Sequence, residues 1–406
     1  MTLIAWGASE WYQGYEYAGQ TAQLDEMLRW GADWLMKTHP RPNILYSQVG
    51  EQDTKEDYWG PDTDIPQERP SYSNRTTSVI AAATASALAS TAYFYQQQLQ
   101  NSTYALRLTR HAVQVFQLAQ VLRKSENITT TSPYMTYSAL WLYRLTGDQT
   151  YHGAAIKHFD YYGSDDPMAV AVYVLGSQVN GTDSESYKEA AEAYLESLLV
   201  HHADYTPGGL YIPEHDDTSA CDTSRTCAAM HVAMIATLHD PVQHKKFTQQ
   251  QLEYILGRNP NSMPYIVGVN ADSPKNPRHA GAAGGANSEA FENDAYPTNY
   301  TLYGALVAGP DANDEFQDKR SAASFTSVRV TYNAAYQSLL AYQILQSAGD
   351  PPFTNTTSSP QDDMTRPPTP PWLIGLIVSV IIVLGILALA GVCYARRRKS
   401  QSQQRH

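Results

Sequence analysis

The chain has 406 residues, 43% hydrophobic and 17% charged, which is enough apolar content and length for a large core and argues against a disordered protein. Its formal net charge of −12 argues against nucleic acid as a partner, since phosphates need lysine and arginine. Tyrosine is abundant, at 29 residues, and such amphipathic rings serve either core packing or the faces of sugars.

In chain order, the first stretch, MTLIAWGASEWYQGYEYAG, has no basic start and no cleavage site, so it is not a signal peptide. It reads as the middle of a helix, and the expectation is that Met1 is not the natural start. Leu24, Met27, Leu28, Gly31, Trp34 and Leu35 follow helical spacing. Ser78–Gln98 is an alanine-rich helical run, and Leu106, Val113, Phe116, Leu118 and Leu122 mark the next helix. Tyr137–Leu145 and Tyr151–Tyr161 form an antiparallel-looking pair, with Gly147 and Asp148 as cap and turn between them. Pro167–Leu175, Ser186–Val200, Ala228–Leu238, Phe247–Leu256 and Thr331–Gln346 continue the series. Serial helices with short connections predict an all-α domain over residues 1–346; periodicity alone does not choose between bundle, solenoid and toroid.

Residues 347–371 are rich in Pro, Thr and Ser and read as an extended stalk. Residues 372–394, from Trp372 to Tyr394, are 23 positions without a charge, enough to cross the roughly 30 Å hydrocarbon layer as a helix. Arg396, Arg397, Arg398 and Lys399 follow, so residues 395–406 are expected in the cytosol and the large domain outside the cell or in the lumen. The lipid bilayer is therefore an expected partner.

Of three cysteines, Cys393 falls in the apolar run. Cys221 and Cys227 read as a short-loop disulfide in an oxidising compartment; two free thiols are the alternative. Asn-x-Ser/Thr triplets at Asn74, Asn101, Asn127, Asn180, Asn299 and Asn355 favour a glycosylated, secreted domain. The reading calls for no cofactor and leaves a structural calcium ion open.

The stretch Leu302–Ala335 carries an acidic run, Asp311, Asp314, Glu315 and Asp318, and then returns to small and aromatic residues. Taken alone, it says only a solvated loop followed by a helix. Together with other segments it closely resembles glycoside hydrolase family 9, the endo-β-1,4-glucanases. Phe316, Asp318, Asn333 and Ala334 fall in the register of that family's C-terminal catalytic segment. Segments that also fit the family are Leu28–Leu35 with His39-Pro40, Tyr46–Gly50, Tyr58–Pro61, Trp141–Asp148, Tyr205–Leu210, and Gln251–Pro260 continuing to Tyr265–Gly268.

The resemblance implies an (α/α)6 barrel whose loops at one end line a substrate cleft. It implies hydrolysis of internal β-1,4-glucosidic bonds with inversion, by one Asp that activates water and one Glu that protonates the leaving oxygen. The departures fall at that chemistry. The family's Asp-Ala-Gly-Asp motif is not in the sequence and is expected upstream of Met1. The general-acid Glu position is Ser327, whose hydroxyl is far too weak an acid to donate a proton near neutrality.

The family's Pro-His-x-Arg motif reads Pro277-Arg278-His279-Ala280, which makes Arg278 and His279 candidate sugar contacts. Tyr332 matches a family tyrosine that holds the reacting sugar; a buried helix tyrosine is its other reading. Tyr58 and Trp59 are candidates for stacking on glucose, whereas Trp141 reads as core. Asp311, Asp314 and Asp318 sit at positions that mostly shape the loop in the family. Glu289, Glu292 and Asp294 are the nearest stand-ins for the lost acid, but no spacing supports them. The leading expectation is a family-level endoglucanase, impaired at Ser327, acting on β-1,4-glucan. The alternative is an inactive, membrane-tethered glucan-binding or cell-wall-associated protein; a structural ectodomain without a sugar ligand comes third.

Overall fold

The structure, a computed structural model, describes residues 1–50, 68–126, 133–159, 167–179, 181, 184–200, 205–212, 224–284 and 298–347. The chain divides into two compact units, Met1–Asn355 and Thr356–His406, and every described residue lies in the first. Its helices are α1 (Thr2–Tyr17), α2 (Thr21–Thr38), α3 (Ser78–Gln97), α4 (Ser102–Ser125), α5 (Pro133–Thr146), α6 (Gln149–His158), α7 (Pro167–Gln178), α8 (Ser184–Val200), α9 (Arg225–His239), α10 (Lys245–Ile255), α11 (Ala280–Ala283), α12 (Ala323–Thr326) and α13 (Val330–Gln346). Two short strands, β1 (Gln48–Val49) and β2 (Ser71–Tyr72), pair antiparallel.

Six helices form a closed inner circuit. α1 packs on α3, α3 on α5, α5 on α7, α7 on α9, α9 on α13, and α13 back on α1. Among the described residues, α2, α4, α6, α8 and α10 lie outside that ring, each against an inner helix next to it in sequence. This is a double-ringed helical barrel, as the family resemblance implies. The division follows composition. α3 is alanine-rich and buried along almost its whole length, so neighbours close on it from both sides. α2 is amphipathic and buries Leu24, Leu28, Ala32 and Met36, a strict i, i+4 row. That row corrects the predicted face: Met27 and Trp34, counted with the apolar stripe, are exposed, and Trp30 is 77% exposed.

Inside the ring, Trp6 of α1 meets Trp141 of α5 edge to face, with centroids 5.5 Å apart and an interplanar angle of 89°. Trp141 is fully buried, as a core residue should be. Helix starts follow capping chemistry. Thr77, Asn101, Asp148 and Ser224 each accept a backbone N–H in the first turn of the helix that follows. Gly147, at φ +70°, ends α5 in the left-handed conformation, and Asp148 beside it starts α6, so the predicted turn is a cap for both helices.

No helix among the described residues is long and apolar enough to cross a membrane. The predicted span 372–394, its stalk and its basic tail lie outside the described residues.

Candidate active site

Four extended segments after α10 build a small ledge. Ile266 bridges Leu306 antiparallel, Val307 bridges Val328 antiparallel, and Arg278 bridges Ser327 in parallel. Arg278 N–H donates to the Thr326 carbonyl at 2.8 Å, and Ala308 N–H donates to the Ser327 carbonyl at 2.9 Å. Arg278 and Ser327 are therefore neighbours in register, although Ser327 follows Arg278 by 327 − 278 = 49 positions. Both are half-buried. The guanidinium of Arg278 donates to the Arg320 carbonyl at 3.1 Å, which fixes its direction. Arg320 is itself buried and donates to Thr298 Oγ1 at 3.1 Å.

The acidic run is a largely exposed loop with one buried carboxylate. Asp314 is 5% exposed, with Oδ2 accepting from Gly208 N–H at 2.6 Å and Oδ1 accepting from the Tyr254 hydroxyl. Burial and that bond hold the Tyr254 phenol far above its ordinary pKa, so it stays a neutral donor. Asn261 Nδ2 adds a bond to the Asp314 carbonyl at 2.7 Å. Asp318 accepts from Lys275 N–H at 2.8 Å and Asn276 N–H at 2.9 Å, which sets the segment leading into Arg278. Asp311 Oδ1 accepts from Asn313 N–H at 2.8 Å and Glu315 N–H at 2.9 Å within its own turn. All three carboxylates are engaged in holding backbone.

His279 is exposed at the start of α11, where Nδ1 accepts from Ala282 N–H at 3.1 Å. That bond fixes the proton on Nε2, and the ring stands as a cap beside Arg278. Tyr332 is 1% exposed within α13, so its ring belongs to the packed interior rather than an open surface. Asn333, next to it, ties α13 to the ledge. Its Oδ1 accepts from Leu306 N–H at 3.2 Å and its Nδ2 donates to the Gly304 carbonyl at 2.7 Å. Sequence reading placed Asn333 in register without giving it this task. It also passed over Tyr300, which is 67% exposed and whose N–H donates to the Ala282 carbonyl at 3.0 Å, beside the His279 cap. An aromatic flanked by Asn and Thr gives no periodic signal that would have found it.

Tyr58, Trp59, Cys221, Glu289, Glu292, Asp294, Asn127, Asn180 and Asn355 lie outside the described residues. Cys227 is disulfide-bonded. Asn74 and Asn299 are exposed; Asn101 is half-buried, and its Oδ1 caps α4 by accepting from Tyr104 N–H at 3.1 Å. Among the described residues no group of three His, Cys, Asp or Glu side chains is placed to hold a metal ion.

The glycosyl hydrolase family 9 model matches residues 1–340. Endoglucanase B of Cellulomonas fimi is 30% identical over 398 residues, which cover 89% of this chain and 37% of that protein. Endoglucanase A of Bacillus pumilus is 26% identical, covering 84% of this chain and 56% of that protein. The chain thus spans about half or less of these relatives' length. Among solved structures, the endoglucanase of the termite Nasutitermes takasagoensis superposes with a TM-score of 0.72 at 28% identity, over 85% of this chain and 84% of that one. The cellulase Cel9M of C. cellulolyticum, solved in complex with cellobiose, superposes with a TM-score of 0.73 at 25% identity, over 86% and 84%. The chain belongs to glycosyl hydrolase family 9.

Proposed function

We propose that this domain recognises β-1,4-glucan at the Arg278–Ser327 ledge and, by descent from endoglucanases, is built for hydrolysis of internal glucosidic bonds, with the proton-donating step weakened. The cellobiose complex of Cel9M supports the ligand class. The observation that supports the weakening is Ser327 itself, which bridges Arg278 and which the sequence resemblance aligns with the family's general acid. The leaving glucosyl oxygen needs a proton as the bond breaks, and a serine hydroxyl does not supply one near neutral pH. Losing a general acid costs about 10²–10⁴ in rate, or roughly 3–5 kcal/mol of barrier. Binding survives that loss, because it draws on Arg278, His279 and exposed aromatic faces such as Tyr300.

The test measures reducing-sugar release and cello-oligosaccharide binding in parallel, on a fusion that carries the Asp-Ala-Gly-Asp segment ahead of Met1. Ser327→Glu is expected to raise its turnover at least about ten-fold while binding changes little. Full endoglucanase rates with Ser327 in place would overturn the weakening. The rival, a catalytically inactive glucan-binding protein, gains ground if Ser327→Glu restores nothing while oligomers still bind.

The proposal extends to location: a single-pass protein with residues 372–394 in the bilayer and the barrel outside, motivated by the uncharged run and its basic flank. Protease added to sealed vesicles should clip only the tail. Digestion of the barrel from the cytosolic side would refute this orientation.

A further inference from the structure

A cavity of about 670 Å³ opens between the 205–211 turn and α10. That volume lies within the roughly 300–1,000 Å³ of small-ligand pockets. Its lining is mixed in a particular way. Tyr205 and Phe247 offer ring surface, Gln243 and Gln250 offer amides, and Glu253 and Arg258 form an ion pair at 2.8 Å. The pair cancels its own charge, and among the described lining residues Lys246 adds a single positive one. Such a lining suits neither a phosphate, which calls for several converging cations, nor a lipid chain, which calls for an apolar wall. It suits a neutral ligand with apolar C–H faces and many hydroxyls. Ring surface covers the faces, and amide, carboxylate and guanidinium groups pair with adjacent hydroxyls.

None of the described residues that line the cavity is one of the bridged residues of the ledge. Tyr254 and Gly208 line the cavity, and both donate to the Asp314 carboxylate. We infer that this cavity is a second saccharide-binding site that holds a short, neutral β-glucan oligosaccharide alongside the one at the ledge; the choice of sugar rests on the proposed function.

The experiment titrates cellotetraose into the full chain by calorimetry, beside two variants: Gln243→Ala/Gln250→Ala, altered at exposed cavity positions, and Arg278→Ala, altered at the ledge. Circular dichroism checks that each is folded. The expected result is two binding events, one weakened at least ten-fold by the cavity variant and the other by Arg278→Ala. Binding that Arg278→Ala abolishes and the cavity variant leaves untouched overturns the second site while sparing the proposed function. Binding lost only in the cavity variant upholds the second site and removes the ledge as a glucan site. A wild-type chain that takes up no cellotetraose overturns both.

Discussion

Asp314 shows how much of the site rests on a single carboxylate. It sits at φ +65°, in the left-handed region, and both of its oxygens are used. Asp314→Ala takes away the buried Tyr254 hydroxyl's acceptor and unties the Gly208 turn, whose N–H is exposed. Losing a buried partner costs about 1–3 kcal/mol, so a loss of about that size is expected. Urea unfolding checks this, and an unmoved midpoint would show that the carboxylate is dispensable. Asp314→Asn, which keeps one acceptor oxygen, should lose less. Composition could not reveal this role. Four acids within eight residues look like a hydrated loop, and only the fold brings Gly208 and Tyr254 to them. Ser327 is the opposite case. Its proposed role comes from register alone, because the flanking Phe316, Asp318 and Asn333 keep the spacing of the family segment that the sequence resembles.

At the scale of elements, α1 and α13 approach closely at a seam that includes Gly14. A Cβ built on Gly14 would stand 2.1 Å from the Ala341 carbonyl oxygen, a backbone atom that cannot swing aside. Gly14→Ala should therefore force the helices apart and destabilise by several kcal/mol, on the order of the 1–3 kcal/mol of ordinary overpacking or more. Gly153 in α6 meets nothing within 4 Å, so Gly153→Ala should stabilise by about 0.4–1 kcal/mol. Thermal melts of the two variants moving in the same direction would refute the reading of the seam.

A second junction ties the end of α2 to α4. His39, 1% exposed, and His111 face each other with Nδ1 atoms 2.9 Å apart, close enough to share one proton but not to hold two. Burial holds both rings below the ordinary histidine pKa, and for His111 the charges of His39, Arg107 and Arg110 add to it. The unfolded chain therefore takes up protons first as the pH drops. Stability from these rings is full above about pH 6.5 and drains below it. His111→Gln should lose less melting temperature than the wild type between pH 7 and pH 5. Parallel curves for the two proteins would dismiss the pair as a pH-sensitive junction.

At the scale of the molecule, the helix series was readable because apolar residues recur at helical spacing and Gly, Asp, Thr and Asn punctuate the ends. Leu24, Leu28, Ala32 and Met36 show where the reading slipped: the stripe was drawn too wide, taking in Met27 and Trp34. The ledge was not legible at all. Its bridged segments are one or two residues long, too short for any period-two pattern, and its partners lie far apart in sequence.

The closed ring has a consequence for how the chain comes to be folded. Tyr15 of α1 donates to Gln337 Oε1 of α13 at 2.6 Å, across 322 residues of sequence. Neighbouring inner helices can pair as soon as each is made, but this last contact cannot form until nearly the whole domain has left the ribosome. Until then Trp11 and Tyr15 of α1 lack the partners they meet on α13, Tyr342 and Gln337. A chain that stalls before Val330 is thus an open arc with a bare aromatic edge at one end, the kind of surface on which chaperones and aggregation compete. The final 17-residue helix acts as the clasp of the domain: it adds little to the length and decides whether everything before it can close.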